Sequence, residues 1–194
     1  MRLLGIVGSL RSDSYNAMLM RAAGEHLPSG VELTVLDGSL LREVPAYDED
    51  LDDLPPEAVE QLKAAIAEAD GILFATPEYN GSVPGFLTNA LDLFSRPFEH
   101  NPLRNKPVAV VSASTGMFGA VWASAELRKV LGLIGARALD RDTPVGLAKT
   151  AFDESGRLVG PESVEAVAAT IADLAEMVRE RRQHLAQQQA EARV

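Results

Sequence analysis

Nearly continuous hydrophobic runs alternate along this chain with stretches of helical period. Leu3-Leu4-Gly5-Ile6-Val7, Ile72-Leu73-Phe74-Ala75 and Val108-Ala109-Val110-Val111-Ser112 are almost wholly apolar, the pattern of parallel strands covered on both faces. Val31, Leu33 and Val35 instead alternate with polar residues, which places that strand nearer an edge. Arg137-Ala138-Leu139-Asp140 supplies a weaker fifth strand at the other edge. Between the runs, Val59, Leu62, Ile66 and Ala69 recur at helical spacing behind Asp52-Asp53 and Pro55-Pro56, acidic caps and prolines that a first helical turn accepts. Ser82 and Pro84 open a further helix with Phe86, Leu87, Ala90, Leu91 and Phe94 facing inward, and Pro161 opens the last, carrying Val164, Val167, Ile171, Leu174 and Val178.

Strands alternating with helices predict an α/β fold: a doubly wound five-stranded parallel sheet in the flavodoxin-like order 2-1-3-4-5, with helices on both faces. Residues 1–182 form this single domain, and the Gln- and Ala-rich residues 183–194 are a polar helix end or a disordered tail. Such sheets take ligands beyond the carboxyl ends of their strands, at the switch point between strands one and three. The loops that follow strands one, three and four are therefore the ones to inspect.

The first, Gly8-Ser9-Leu10-Arg11-Ser12-Asp13-Ser14-Tyr15-Asn16, has neither G-x-G-x-x-G nor G-K-[ST]. It still gathers the hydroxyls of Ser9 and Ser14, the Asn16 amide, the Arg11 guanidinium and the free N–H groups of a helix start, all suited to one anion. A capped helix beside a solvated arginine uses the same residue types. The loop after strand three, Thr76-Pro77-Glu78-Tyr79-Asn80-Gly81-Ser82-Val83-Pro84-Gly85, is stiffened by prolines and offers the flat face of Tyr79 to a planar heterocycle. After strand four, Ser114, Thr115, Gly116 and Gly119 provide hydroxyls and room for a ligand to approach backbone.

Composition narrows the chemistry. With 194 residues, 46% of them hydrophobic, the chain can bury a core without disulfide or metal. A net charge of −10 disfavours nucleic acid as the partner. The absence of cysteine removes thiol catalysis, zinc fingers and iron–sulfur clusters. His26, His100 and His184 are widely spaced and suggest no metal site. No apolar run reaches the roughly 18 residues of a membrane span, and the Gly-interrupted N-terminus does not read as a signal peptide. A cytoplasmic protein without a membrane partner is expected.

Together, Gly8-Ser9-Leu10-Arg11-x-x-Ser14-x-Asn16, Pro77-Glu78-Tyr79-Asn80-x-Ser82-x-Pro84-Gly85 and Asn89-Ala90-Leu91-Asp92 resemble the NADPH-dependent FMN reductase family, with its quinone, azo-dye and chromate reductase relatives. Pro45-Ala46-Tyr47-Asp48-Glu49-Asp50-Leu51, Ser114-x-Gly116-x-x-Gly119 and Phe152-Asp153-x-x-Gly156-x-Leu158 extend the match. The resemblance implies non-covalent FMN, NAD(P)H as co-substrate, a small-molecule acceptor and a homodimer or homotetramer. Ser9, Arg11, Ser14, Tyr15 and Asn16 would hold the phosphate, the tyrosine through its backbone. Pro77, Glu78, Tyr79 and Asn80 would line the isoalloxazine, with Ser114, Thr115 and Gly116 on its other side, and no residue acts as a separate catalyst because the chemistry belongs to FMN. Thr88, Trp122 and Ser124 depart from the family pattern at positions that often face another subunit. Trp122 is expected in the core or at a subunit contact, and Glu78 as a loop-fixing residue. The alternative is a flavodoxin-type electron carrier without its own NAD(P)H site; the acidic surface suits it, but Arg11 and the Pro77-Glu78-Tyr79-Asn80 motif do not.

Overall fold

The computed structural model describes residues 1–52 and 55–192. Parallel strands β1 (Arg2–Val7), β2 (Glu32–Val35), β3 (Gly71–Thr76), β4 (Pro107–Ala113) and β5 (Arg137–Ala138) stand in the order β2-β1-β3-β4-β5. A further short strand, β6 (Pro144–Val145), also pairs with β4. The helices are α1 (Tyr15–Glu25), α2 (Gly38–Arg42), α3 (Glu57–Glu68), α4 (Gly85–Phe94), α5 (Val121–Leu133), α6 (Ala148–Ala151) and α7 (Pro161–Glu191).

Every residue of β3 and β4 is buried, which accounts for their unbroken apolar sequence. Successive side chains go to opposite faces. Ile72 and Phe74 join Leu62 and Ile66 of α3, Leu87 and Phe94 of α4, and Leu127 of α5. Leu73 and Ala75 face the other way, onto Leu19 and Met20 of α1 and Val167, Ile171, Leu174 and Val178 of α7. Most inward positions read from the sequence thus fall into two core layers, one on each side of the sheet, whereas Val164 at the start of α7 is half-buried and belongs to neither.

Three expectations need correction. The stretch 137–140 is not a continuous strand. The Leu139 N–H still bonds the Val108 carbonyl at 2.8 Å, and the Ser112 N–H meets the Thr143 carbonyl at 3.2 Å, but the intervening charged residues leave the edge. Arg141 reaches Asp173 of α7 at 2.5 Å, and Arg128 of α5 reaches Asp142 at 2.5 Å, so ion pairs toward helices on both faces draw the backbone out between β5 and β6. Second, α2 and α6 are short helices that the apolar spacing did not reveal; Asp37 caps α2 by accepting from the Ser39 N–H at 2.9 Å. Third, Val35 is exposed although its alternation pointed inward; it is the last residue of β2, the edge strand of the sheet. The Gln- and Ala-rich segment continues α7 as helix to Glu191, in keeping with good helix formers. Arg193 and Val194 lie outside the described residues, as does Asp53.

One buried cation ties the two ends of a βα unit together. Lys106, only 4% exposed, donates to the carbonyls of Ile66 at 2.7 Å, Ala67 at 3.0 Å and Ala69 at 2.6 Å. These include carbonyls that the C-terminus of α3 leaves without intrahelical donors, and a positive charge suits that end of the helix dipole. Burial pushes the ammonium down to about 8, Arg181 adds to that shift and Asp70 opposes it.

Candidate functional site

The loops that follow β1, β3 and β4 meet at the carboxyl edge of the sheet, where the chain leaves β1 for α1 on one face and β3 for α4 on the other. They wall a groove of about 120 Å³, well under the roughly 300–1,000 Å³ of an enclosed ligand pocket. The site is an open trough. Ser9, Arg11, Ser14, Tyr15 and Asn16 form one end; Pro77, Glu78 and Tyr79 form one side; Ser114 and Thr115 form the other, joined by Ala113. Asn80 and Gly116, both named from the sequence, do not line it, and Ala113, which the sequence did not suggest, does. A cleft of about 150 Å³ at the opposite strand edge is lined by Leu3, Leu4, Ala65, Ala69 and the exposed Arg2–Glu68 pair, 3.9 Å apart, and gathers no comparable set of donors.

At the first loop, Ser14 is the N-cap of α1, and its hydroxyl accepts from the Ala17 N–H at 3.3 Å. The hydroxyl proton stays available to an incoming acceptor. Among the described residues, no acceptor takes the N–H groups of Tyr15 or Asn16, so the helix start offers free donors. Arg11 is exposed and bonded only to the Asp13 carbonyl at 3.3 Å among the described residues. Arg42 of α2 fixes the loop from outside by donating to the Leu10 carbonyl. The Tyr15 ring stacks on Phe152 with centroids 5.8 Å apart, and among the described residues its backbone N–H is left without an acceptor.

Asn16 differs from expectation. Its side chain is nearly inaccessible, donating to the Ala113 carbonyl and accepting from the Ala113 N–H, each at 3.0 Å. The amide is engaged in tying the first turn of α1 to the end of β4, so its role is positional and its backbone N–H is the donor left over.

The loop after β3 closes in a two-residue turn. Tyr79 and Ser82 exchange backbone hydrogen bonds of 3.0 and 3.1 Å, while Asn80 and Gly81 take φ of 54° and 76°. An Asn-Gly pair with both φ positive is what such a turn requires, so Asn80 shapes the tip instead of lining the trough. Two carboxylates then fasten this loop to α5 in opposite directions. Glu78 accepts from the Ala123 N–H at 3.1 Å, capping a helix whose own N-cap, Ala120, provides no side-chain bond. Glu126 accepts from the Ser82 hydroxyl at 2.7 Å and the Val83 N–H at 3.1 Å. Those bonds, the serine first, hold its carboxyl below the ordinary carboxylate value. Glu78 therefore fixes the loop, as expected, whereas Glu126 escaped notice because nothing in its helix sequence marks a partner 44 residues away. Asn89 does similar work on the 45–47 segment, accepting from the Tyr47 N–H at 2.8 Å and donating to the Pro45 carbonyl at 2.7 Å.

The glycines after β4 serve loop packing. A Cβ on Gly119, whose φ is +60°, would stand 2.8 Å from the Val145 and Gly146 backbone, and one on Gly146 would stand 2.1 Å from the Met117 carbonyl oxygen. They let the 114–119 and 145–147 segments close on each other. Gly116 is engaged too: its N–H donates to the Ser114 hydroxyl at 3.1 Å, and its carbonyl accepts from the Leu147 N–H at 2.9 Å. Of the positions departing from the family pattern, Thr88 is half-buried, Ser124 is buried in α5, and Trp122 is exposed, which excludes the core for Trp122.

The 2-1-3-4-5 sheet with its trough at the β1/β3 switch point defines a flavodoxin-like α/β protein. The solved structure of FerB, a flavoenzyme NAD(P)H:(acceptor) oxidoreductase from Paracoccus denitrificans, has a TM-score of 0.80 to this fold at 30% identity, covering 93% of this chain and 98% of that one. The family model for NADPH-dependent FMN reductase matches residues 1–153, and the chain belongs to that family of oxidoreductases. It is 40% identical to a NAD(P)H-dependent FMN reductase of Pseudomonas aeruginosa, over 86% of this chain and 89% of the relative. It is also 39% identical to a quinone reductase of Pseudomonas putida, over 79% and 82% respectively.

Proposed function

We propose that the groove holds FMN without a covalent bond, and that the protein oxidises NAD(P)H and reduces a quinone, free flavin or similar small acceptor in two successive half-reactions. The observation that carries this reading is the convergence of donors at one end of the trough: the unpaired Tyr15 and Asn16 N–H groups, the Ser9 and Ser14 hydroxyls, and the exposed Arg11 guanidinium, which spends one bond on the Asp13 carbonyl. An anionic phosphate fits such a set. The flat, half-exposed ring of Tyr79 and the Ser114 and Thr115 side chains then flank the place for a planar ring. Asn80 and Gly116 support those walls without lining them.

FMN would supply the hydride chemistry, accepting two electrons from the nicotinamide and passing them on. The chain's part is to bind and to orient. Arg11 and the start of α1 anchor the phosphate; the Glu78 and Glu126 carboxylates hold the Tyr79 wall in register with α5; and the open trough admits nicotinamide and acceptor in turn to one face. Sharing that face requires the first product to leave before the acceptor enters, so double-reciprocal plots are parallel, and intersecting lines would contradict a shared site.

Among the described residues, no helix is long and apolar enough to cross a membrane. We place the protein in the cytoplasm, where NAD(P)H is available, and assign it a homodimer or homotetramer in line with its family resemblance. The test is a visible spectrum of the purified protein followed by NADH and NADPH oxidation with FMN, menadione and an azo dye. A flavin spectrum and turnover by the protein alone support the reading. A colourless protein that does not take up added FMN contradicts it, and bound flavin without NAD(P)H oxidation indicates an electron carrier.

A further inference from the structure

We propose that Tyr79 is a catalytic residue as well as a wall of the groove: its phenol gives the proton that a quinone needs as it takes up a hydride. The proposal rests on the flavin-groove reading above. A quinone that gains a hydride alone is left as an anion, with the charge on its second oxygen, and a donor held beside that oxygen neutralises the charge as it forms. Hydroxyls, an amide and a guanidinium line the trough, but few of them can release a proton. The Asn16 amide is bound on both sides to Ala113, a guanidinium such as that of Arg11 keeps its proton in proteins, and the alcohols of Ser9, Ser14, Ser114 and Thr115 are far weaker acids than a hydroquinone. The phenols of Tyr15 and Tyr79 remain.

Position separates these two. Tyr15 belongs to the phosphate end, with its ring stacked on Phe152. Tyr79 stands on the side wall with Pro77 and Glu78, beside the place for the planar ring, so an acceptor that settles over that ring lies against it. Among the described residues, only one tyrosine hydroxyl is engaged: that of Tyr47 accepts from Arg96 Nε at 2.9 Å and meets an Asp52 carboxylate oxygen at 3.3 Å. The Tyr79 hydroxyl has no such partner and is free to donate to a ligand. A phenol and a hydroquinone are acids of like strength, so the proton crosses without a large energy step in either direction.

The phenol stands on a fixed mount. Tyr79 exchanges backbone bonds of 3.0 and 3.1 Å with Ser82, Glu126 fastens Ser82 and Val83, and Glu78, the residue before, is tied to the first turn of α5 through the Ala123 N–H. Such a mount keeps a proton donor in place while acceptors come and go, and positioning of this kind is what lets a donor act in the transition state. In balance, the hydride brings the quinone two electrons and one proton, the phenol O–H breaks as the second hydroquinone O–H forms, and the phenolate regains a proton from water. NAD(P)H, quinone and one proton thus become NAD(P)⁺ and hydroquinone. Acceptors that take electrons without a proton, such as ferricyanide, bypass Tyr79.

The test compares FMN-loaded wild type with Tyr79→Phe, which keeps the flat ring and loses only the hydroxyl. After reduction by NADPH without oxygen and removal of nicotinamide, the return of the flavin band is timed by stopped flow with menadione and with ferricyanide, and the ratio of the two rates is taken. Separately, the oxidised proteins are titrated with chromone, a fused-ring carbonyl compound used as an unreduced quinone mimic, and with chromane, the same bicycle without the carbonyl, by the shift of the visible band. The menadione-to-ferricyanide ratio is expected to fall about ten- to hundredfold in Tyr79→Phe, no more than the lower end for a positioned acid because water in the open trough substitutes in part. Chromone affinity, relative to chromane, is expected to fall about two- to tenfold, the scale of one hydrogen bond. An unchanged rate ratio, or an unchanged relative affinity, overturns the proposal and leaves Tyr79 as a wall alone. Wild type that takes up no FMN and oxidises no NADPH would instead defeat the flavin-groove reading itself, so the two failures are distinguishable.

Discussion

Arg11 owes its importance to what surrounds it. In a chain of net charge −10, it is an exposed guanidinium beside unpaired helix N–H groups, and a charge-assisted bond to phosphate is the interaction that placement suits. Arg11→Ala is expected to weaken FMN by about 1.5–3 kcal/mol while leaving riboflavin, which lacks the phosphate, nearly unaffected in a fluorescence titration. Equal losses for the two flavins would remove Arg11 from the phosphate site. Lys106 is a residue of the opposite kind, buried and committed to the end of α3. Below about pH 8, folded and unfolded chains both carry its proton; between about 8 and the ordinary 10.5, only the unfolded chain retains it. Its contribution therefore makes the folded state gain stability as pH rises through that window. Urea midpoints measured across it should rise more steeply with pH for wild type than for Lys106→Met, and identical slopes would contradict this.

At the scale of elements, the reciprocal carboxylates between the 77–83 loop and α5 set the groove wall. Glu126→Ala removes the acceptor of both Ser82 and Val83. It is expected to raise amide exchange at Val83 by at least about tenfold and to lower FMN affinity with little change in thermal midpoint. Exchange as slow as in wild type would show that the Asn80-Gly81 turn holds the loop unaided. The sign of the Glu126 shift gives the pH limit: with its folded value lowered, the clamp is intact above the ordinary 4.5 and is lost as pH falls through the lower folded value. Sequence pattern revealed the elements themselves well, because the apolar runs of β3 and β4 and the helical spacing in α3, α4 and α7 are direct records of burial on two sheet faces. It did poorly where long-range polar bonds decide. The split between β5 and β6 depends on Arg141–Asp173 and Arg128–Asp142, and the role of Asn16 depends on Ala113, 97 positions away. The groove residues were visible because three short loops carry them; the residues that hold those loops, Glu126 and Asn89, sit on helices whose sequence shows no such partnership.

For the whole molecule, topology and chemistry agree. The trough opens at the switch point between β1 and β3, the start of α1 leaves unpaired N–H groups at one end of it, and the core layers on the two sheet faces keep the three loops in register. The absence of cysteine leaves thiols without a part in electron transfer, consistent with a redox reaction carried by a bound cofactor. Such a molecule needs no second protein to take electrons from NAD(P)H, and that independence separates a reductase from a carrier. The most direct measurement follows the visible flavin band of the purified, FMN-loaded protein without oxygen, first on adding NADPH and then, after nicotinamide is removed, on adding menadione. The account predicts rapid bleaching by NADPH and full recovery of the band with menadione, each stage complete without the other reactant. A band that does not bleach with either NADPH or NADH, or that recovers only while nicotinamide remains bound, would contradict it.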